Sequence, residues 1–184
     1  MIYPIIAYGD PVLKKKASDI PKDYPNLQQL IADMYETMYN AHGVGLAAPQ
    51  IGLSLRLFIT DGAPFEEEEV KDFKQVFINA QILEEDGEAW KFNEGCLSIP
   101  QVREDISRLE TIRIRYYDAE WNLKTETFDG LAARIIQHEY DHTEGVLFVD
   151  KISPLRRRIL KNKLLDISKG MVDADYKMKF PSRR

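Results

Sequence analysis

The sequence has few features of an extracellular or membrane protein. It contains one cysteine, Cys96, so no disulfide can form within the chain. No apolar run approaches the roughly 20 residues that a transmembrane helix needs. Residues 1–6 also lack the basic start and the long apolar stretch of a signal peptide. These absences favour a reducing cytoplasm and predict that the protein has no membrane partner.

The charge balance and the lack of repeats exclude further classes of protein. The formal net charge is -5 at pH 7, so the overall charge does not indicate nucleic-acid binding, and no sequence-specific nucleic-acid partner is expected. No internal repeat or low-complexity linker interrupts the 184 residues. The length of the chain predicts a single domain over residues 1–184 with a substantial core, and its 44% hydrophobic and 30% charged residues are typical of a globular protein.

Residues 25–42 have the periodicity of an amphipathic helix. Pro25 suits its first turn, and Gly43 is placed to end it. One apolar stripe along this segment consists of Leu27, Leu30, Ile31, Met34 and Met38. Residues 43–52 are small and rich in glycine, which predicts a loop suited to close approach rather than a packed element.

Strand patterns occupy much of the middle of the chain. The predicted strands are residues 55–60, 76–83, 111–116 and 123–128. Residues 118–122 are predicted to turn the third of these strands into the fourth. Residues 61–72 contain four consecutive glutamates, from Glu66 to Glu69, and are predicted to be a solvated excursion.

Two further helices are predicted in the C-terminal half. Asp129 is a suitable N-cap for the first, which is apolar around much of its circumference and should therefore be buried. Ser153-Pro154 starts the second, which ends near Gly170. Its inward residues are predicted to be Leu155, Ile159, Leu164 and Ile167, and its outward residues Arg156, Arg157, Arg158, Lys161 and Lys163. Residues 171–184 are predicted to form a loose tail.

The helix that follows Asp129 contains an HExxH pattern. His138 and His142 are four residues apart, so on a helix both imidazoles lie on one face and can bind a single metal ion. Glu139 is rotated away from the pair and is suited to act as a general base beside the metal. Two histidines leave a metal short of ligands, and the thiolate of Cys96 would complete a three-ligand site with an open position. The predicted fold is α+β, with antiparallel strands around this central helix and helices near both termini.

Three other classes of protein use similar residues. A zinc endopeptidase also has an HExxH pattern, but its third ligand usually lies downstream, and no histidine follows His142. A copper electron-transfer site also uses two histidines and a cysteine, but not one turn apart on a buried helix with a glutamate between them. A structural metal site needs four protein ligands. His42 is the nearest candidate for the fourth, although it is expected to end the first helix.

Three segments resemble, in order and spacing, the signature motifs of the peptide deformylases. They are Gly43-Val44-Gly45-Leu46-Ala47-Ala48-Pro49-Gln50, Glu94-Gly95-Cys96-Leu97-Ser98 and Gln137-His138-Glu139-Tyr140-Asp141-His142. Residues 8–13 and 145–148 are also similar to that family, and a helical C-terminus resembles its bacterial type I forms. The resemblance implies a hydrolase that removes the N-formyl group from the N-terminal methionine of newly synthesised proteins and releases formate.

The resemblance also implies which residues perform the chemistry. The metal ligands would be Cys96, His138 and His142, around one divalent ion. This ion would be ferrous iron in bacteria, with zinc, nickel or cobalt able to occupy the same site. Glu139 would act first as general base and then as general acid. Gln50 and the backbone N–H of Leu97 would stabilise the charge that develops on the formyl oxygen.

Further residues are implied to hold the substrate. Val44, Gly45 and Gly95 would hold the peptide backbone in an extended pose. The pocket for the methionine side chain would be lined by Val44, Phe92, Leu131, Arg134, Ile135 and His138, with Arg103 at its rim. Since such substrates emerge from ribosomes, the basic residues of the last helix suggest weak, salt-sensitive ribosome association. A solvated face is the commoner explanation of such a run.

Overall fold

The computed structural model describes residues 1–181 and has an α+β fold, as predicted. The elements are, in chain order, β1 (Ile5–Ile6), α1 (Leu27–Asn40), β2 (Gly45–Ala47), β3 (Leu57–Asp61), β4 (Lys74–Cys96), β5 (Ile99–Tyr117), β6 (Leu123–Asp129), α2 (Gly130–Thr143), α3 (Pro154–Ser168) and β7 (Met178–Lys179). Strands β2 to β6 form one antiparallel sheet in that order, and β1 pairs with β7 in parallel. Within residues 1–181, no helix combines the length and apolar character needed to cross a membrane.

Strands β4 and β5 form a long hairpin whose extent the sequence did not predict. Their pairing runs from Ile78 opposite Tyr117 to Cys96 opposite Ile99, with several register shifts. Residues 83–93 of β4 are mostly exposed and rich in acidic side chains, so they lack the apolar alternation that indicates a strand. Backbone pairing with β5 holds them in the sheet regardless of their side chains. The hairpin ends in a tight turn that carries Cys96, Leu97 and Ser98.

The glycine-rich segment 43–52 is packed structure and not the predicted loop. Gly45 pairs with Thr60 and Ala47 pairs with Phe58, so β2 is an edge strand of the sheet. Ala48–Ile51 then forms a buried 3-10 turn. Small side chains allow this backbone to lie close against α2, and pairing with β3 satisfies its polar groups on one side.

Helix α1 begins two residues later than predicted. Asn26 has a left-handed φ of 56°, so Pro25 lies outside the helix. The predicted apolar stripe is confirmed, since all five of its residues are buried. The N–H of Gly43 donates to the carbonyl of Met38 at 2.9 Å, which closes the C-terminus of the helix as expected.

Helix α2 lies in the interior, as its composition predicted. It contacts β2, β3, β5 and β6, and residues on both sides of the helix are buried. Asp129 occupies the N-cap position, although its side chain makes no capping hydrogen bond. Because α2 is enclosed on most sides, the histidines it carries are held in a fixed orientation.

Helix α3 is rotated relative to the prediction. Ser153 caps it through a hydrogen bond from the N–H of Arg156, and Leu164 and Ile167 are buried as predicted. The prediction that Leu155 and Ile159 face inward was wrong, because these side chains are 67% and 58% exposed. The inward face is taken by Arg156, which pairs with Glu104 on β5, together with Leu160, Lys163, Leu164 and Ile167.

The residues after Gly170 are held against the body of the protein, in contrast to the predicted loose tail. Met178–Lys179 pairs with β1, and the N–H of Ile5 donates to the carbonyl of Lys177 at 2.9 Å. The last part of the predicted tail, residues 182–184, lies outside the described residues. The predicted excursion at 61–72 is mostly exposed, but it contains a 3-10 turn at Ala63–Phe65 and buries Val70.

Candidate active site

Cys96, at the tip of the β4–β5 hairpin, meets His138 and His142 on α2. The ligand atoms of these three residues all lie within 4.8 Å of one another. Sγ of Cys96 is 3.5 Å from Nε2 of His142, and the two imidazole rings are 5.2 Å apart. One thiolate and two imidazoles suit a divalent transition metal. Among residues 1–181, no fourth protein ligand joins this group, which fits an open position.

The carboxylate of Glu94 orients His138. Its Oε1 accepts a 2.8 Å hydrogen bond from Nδ1 of the ring, which leaves Nε2 for a metal. Two buried arginines hold the carboxylate: Arg108 through bonds of 2.7 and 3.0 Å, and Arg134 through one of 2.9 Å. Burial disfavours the charged form, but the bonds from His138 and Arg108 outweigh it and hold the pKa of Glu94 well below its usual range.

Arg108 extends this buried ionic cluster beyond Glu94. Its guanidinium also donates to Asp141 at 2.8 Å, so it links the hairpin to α2, which carries both histidines. Arg108 was not singled out from the sequence. The only signal for it is that it occupies a buried position in the alternating pattern of β5, where an apolar side chain would be expected. A charge at such a position needs a buried partner.

Glu139 lies beside the three ligand residues but is not one of them. Its Oε2 is buried and has no hydrogen-bond partner among the described residues. Burial raises the pKa of Glu139 to about 7. The carboxylate borders the cavity and is packed against Gly45, where an added Cβ would lie 2.5 Å from Oε1. A buried carboxyl group with a free oxygen and a pKa near neutrality can both accept and return a proton.

The side-chain amide of Gln50 is held with its donor toward the ligand cluster. Its Oε1 accepts from the N–H of Ala47 at 3.0 Å, which fixes the orientation of the amide. Its Nε2 lies 3.4 Å from Sγ of Cys96 and 3.3 Å from Oγ of Ser98. Both of these contacts are long, so the amide hydrogens remain able to donate to a substrate oxygen. Leu97 follows Cys96 in the hairpin turn and borders the same cavity.

A cavity of about 730 Å³ opens beside the three ligands. The predicted substrate-holding and oxyanion-stabilising residues that line it are Val44, Gly45, Gln50, Phe92, Gly95, Leu97, Arg103, Arg134 and Ile135. Leu131 is the exception: it is buried one turn before Ile135 and does not line the cavity. Arg103 donates to the side chain and the carbonyl of Asn93, and its guanidinium lies over Gly95.

Residues 99–102 of β5 and two segments remote from the motifs also line the cavity, although the sequence did not assign them to the site. Pro64 and Phe65 come from the acidic excursion, and the ring of Phe65 meets that of Phe92 edge-on at 5.9 Å. Residues 173–176 come from the C-terminal segment. Neither could be found from local pattern, because Phe65 has acidic neighbours typical of solvent-exposed chain. His42 also borders the cavity, but it is exposed and outside the ligand group.

Comparisons with known proteins agree on one family. A family model described as polypeptide deformylase matches residues 2–158. Peptide deformylases from Christiangramia forsetii and Cytophaga hutchinsonii are 59% and 56% identical; both matches cover 100% of this chain, and 98% and 100% of the relatives. A solved peptide deformylase from Legionella pneumophila has 38% identity and a TM-score of 0.81, over 93% of this chain and 98% of that one. A solved peptide deformylase from Synechococcus elongatus, in complex with actinonin, has 37% identity and a TM-score of 0.79, and the match covers 96% of this chain and 92% of that one.

Proposed function

The chain belongs to the peptide deformylase family, and from this membership we propose its reaction and the roles of the main residues at its cavity. The enzyme is a metal-dependent hydrolase that removes the N-formyl group from the N-terminal methionine of newly synthesised proteins and releases formate. One observation carries the assignment of residues: Cys96, His138 and His142 form a three-ligand group beside the free oxygen of Glu139, in one cavity.

The donor set fits a divalent metal, and we propose ferrous iron as the native ion. Zinc, nickel and cobalt would also fit one thiolate and two imidazoles. A metal held there would act as a Lewis acid and make a nucleophile available from water at neutral pH. Glu94 supports such a site by fixing the ring of His138. Because the thiolate of Cys96 is oxidisable, the iron form is expected to lose activity in air.

The chain's own groups move the protons and stabilise the developing charge. Glu139 takes a proton from the water molecule whose oxygen attacks the formyl carbon. Nε2 of Gln50 and the backbone N–H of Leu97 donate to the formyl oxygen as negative charge builds on it, and losing one such donor typically costs about 10²–10³-fold in rate. When the C–N bond breaks, Glu139 returns its proton to the leaving amine. The products are formate and a free N-terminal methionine.

The edge of the sheet is suited to hold the peptide. Within residues 1–181, strand β2 pairs only with β3, so its other edge is available for the backbone of an extended substrate. Val44, Gly45 and Gly95 border the cavity where such a strand would lie. Phe92, Arg134, Ile135 and His138 line the part proposed for the methionine side chain.

Two measurements on anaerobically purified protein test this function. The enzyme should release formate from an N-formyl-Met peptide and act far less on the matching N-acetyl-Met peptide, because a formyl carbon carries only hydrogen where the acetyl group carries a methyl. Metal analysis should find close to one ion per chain, mainly iron. Equal turnover of both peptides, or of neither, would contradict the proposed activity, and a zinc-filled, fully active enzyme would contradict the choice of iron.

We also propose a cytoplasmic location and weak association with ribosomes, where formylated nascent chains occur. Fewer basic residues of α3 are available to bind RNA than the sequence suggests. Arg156 and Arg157 donate hydrogen bonds to neighbouring residues, and Lys163 donates to the carbonyl of Gln101. Arg158 and Lys161 have no hydrogen bond or ion pair within the described part of the chain. Contacts from such residues to RNA phosphates would carry no sequence specificity.

Charge reversal at these two positions tests the association. Arg158→Glu with Lys161→Glu should reduce co-sedimentation with ribosomes at low salt, because it replaces attraction to phosphate by repulsion. The matched control is Lys15→Glu with Lys22→Glu, which changes the net charge equally at exposed positions elsewhere. Equal co-sedimentation of both double variants would count against binding through α3.

A further inference from the structure

The C-terminal segment returns across the molecule to the turn that carries Cys96. The N–H groups of Ile5 and Ala7 each donate at 2.9 Å to carbonyls of residues 177 and 179. The N–H of Tyr8, next along the chain, donates to the carbonyl of Ser98 at 2.8 Å. Residues 5–8 therefore lie between the C-terminal segment and the hairpin turn, and hydrogen-bond to both. Gln101 provides a second attachment for the C-terminal segment, because its Nε2 donates to the carbonyl of Asp173 at 2.7 Å.

Tyr176 in this segment contacts the turn directly. Its hydroxyl donates to the carbonyl of Leu97 at 2.7 Å, and Tyr176 is one of the residues that line the cavity. Burial raises the pKa of Tyr176 well above its usual value, so the hydroxyl keeps its proton and remains a donor. The match to the family model ends at residue 158, so Tyr176 lies outside the part of the chain that the family model describes.

We propose that Tyr176 is a positioning residue for deformylation, acting through its hydrogen bond to Leu97. The proposal rests on the function proposed above for the N–H of Leu97. A backbone donor stabilises an oxyanion only if it points at the place where the charge will develop. Leu97 lies in a tight turn whose peptide groups could otherwise rotate. The hydroxyl of Tyr176 bonds to the carbonyl of Leu97, and the N–H of Tyr8 bonds to the carbonyl of Ser98, so two other segments restrain the turn.

The test is the variant Tyr176→Phe, which keeps the ring and removes the donor. We expect kcat for an N-formyl-Met peptide to fall about 3–10-fold, the range for loss of one neutral hydrogen bond. KM should stay within about twofold, because the affected donor acts mainly in the transition state. Metal content should be unchanged, since no ligand is altered. Amide hydrogen exchange in the turn, at Leu97 and Ser98, should become faster.

A second tyrosine provides the matched control. The hydroxyl of Tyr35 also bonds to backbone carbonyls, at 3.1 Å to Gln75 and 3.3 Å to Thr60, but it does not border the cavity. Tyr35→Phe should therefore leave kcat unchanged. Unchanged kcat in Tyr176→Phe, an equal loss in both variants, or a loss that accompanies loss of metal would overturn the proposal. If the unmodified enzyme released no formate, the proposed function itself would fail, which is a distinguishable result.

Discussion

Gly45 faces the carboxylate of Glu139 so closely that a Cβ at this position would lie 2.5 Å from Oε1 and 2.7 Å from Cδ. Glu139 is enclosed and cannot move freely, and its other oxygen has no hydrogen-bond partner among the described residues. Gly45 belongs to the edge strand β2, whose backbone is fixed by pairing with β3. The absence of a side chain at Gly45 therefore leaves the space that the Glu139 carboxylate occupies.

The first prediction concerns this contact. Gly45→Ala should lower kcat by about 10²-fold, because a displacement near 1 Å in a reacting group can cost that much. The metal should be retained, since Glu139 is not a ligand. The double variant Gly45→Ala with Glu139→Ala should be no slower than Glu139→Ala alone if the effect passes through Glu139. A double variant that is slower than Glu139→Ala would show that the methyl group blocks the substrate instead.

The second prediction separates proton transfer from metal binding. Glu139→Ala should keep near-stoichiometric metal but lose about 10²–10⁴-fold in rate, the usual contribution of a general acid–base. Cys96→Ala and His142→Ala should lose the metal and the activity together, because each leaves only two protein ligands. Cys96→Ser should bind metal weakly, since an alcohol is a poorer ligand than a thiolate.

Metal analysis and formate release on the same preparations measure both effects. If Glu139→Ala emptied the site while Cys96→Ala left it filled, the ligand set would be wrong. In that case an endopeptidase-like site with a carboxylate ligand would need to be considered again.

The third prediction concerns the buried carboxylate of Glu94. Glu94→Gln removes the charge that Arg108, Arg134 and His138 share. We expect metal affinity to fall about 10–100-fold, as for other groups that orient a ligand. The free energy of unfolding should fall by about 3–5 kcal/mol, because the buried Arg134 loses its carboxylate partner and Arg108 keeps the pair with Asp141 but loses Glu94. Chelator competition and urea denaturation measure these two quantities.

The control for Glu94 is another glutamate that pairs with an arginine. Glu104 is buried but its partner Arg156 is half-exposed and stays hydrated when Glu104→Gln weakens the pair, so the expected cost is about 1 kcal/mol with no change in metal affinity. Similar losses in both variants would indicate that the Glu94 cluster has no special connection to the metal site.

The fourth prediction follows from the orientation of α3. Leu164 is buried, and Leu164→Ala should lower the free energy of unfolding by about 2–5 kcal/mol. Leu155 is exposed on the same helix, so Leu155→Ala should change the free energy of unfolding by less than about 0.5 kcal/mol. Urea denaturation of the two variants compares the same chemical change at both sites. A large cost at Leu155 would mean that this side chain is covered in solution.

The local features of this protein could be predicted from its sequence. The spacing of His138 and His142 places them on one helical face because four residues make about one turn, and the structure has them 5.2 Å apart. The stripe of α1 and the cap at Ser153 depend in the same way on residues close along the chain. Cys96 was predicted as the partner of the histidines because two histidines leave a metal short of ligands and the chain has one cysteine, and the three motifs supported the same assignment.

Only the tertiary structure showed which distant residues complete the site. Tyr176 and Leu97 are 79 residues apart and meet because the C-terminal segment pairs with β1. Arg108 reaches Glu94 only through the register of the β4–β5 hairpin, and that hairpin extends into acidic, exposed residues that show no strand pattern. The inward face of α3 likewise could be assigned only from the structure, in which Leu164 and Ile167 are buried and Arg156 meets Glu104. Sequence periodicity reports short-range geometry. The register of the β4–β5 hairpin and the pairing of the C-terminal segment with β1 are set by contacts between residues far apart along the chain, so these parts of the site had no local signal.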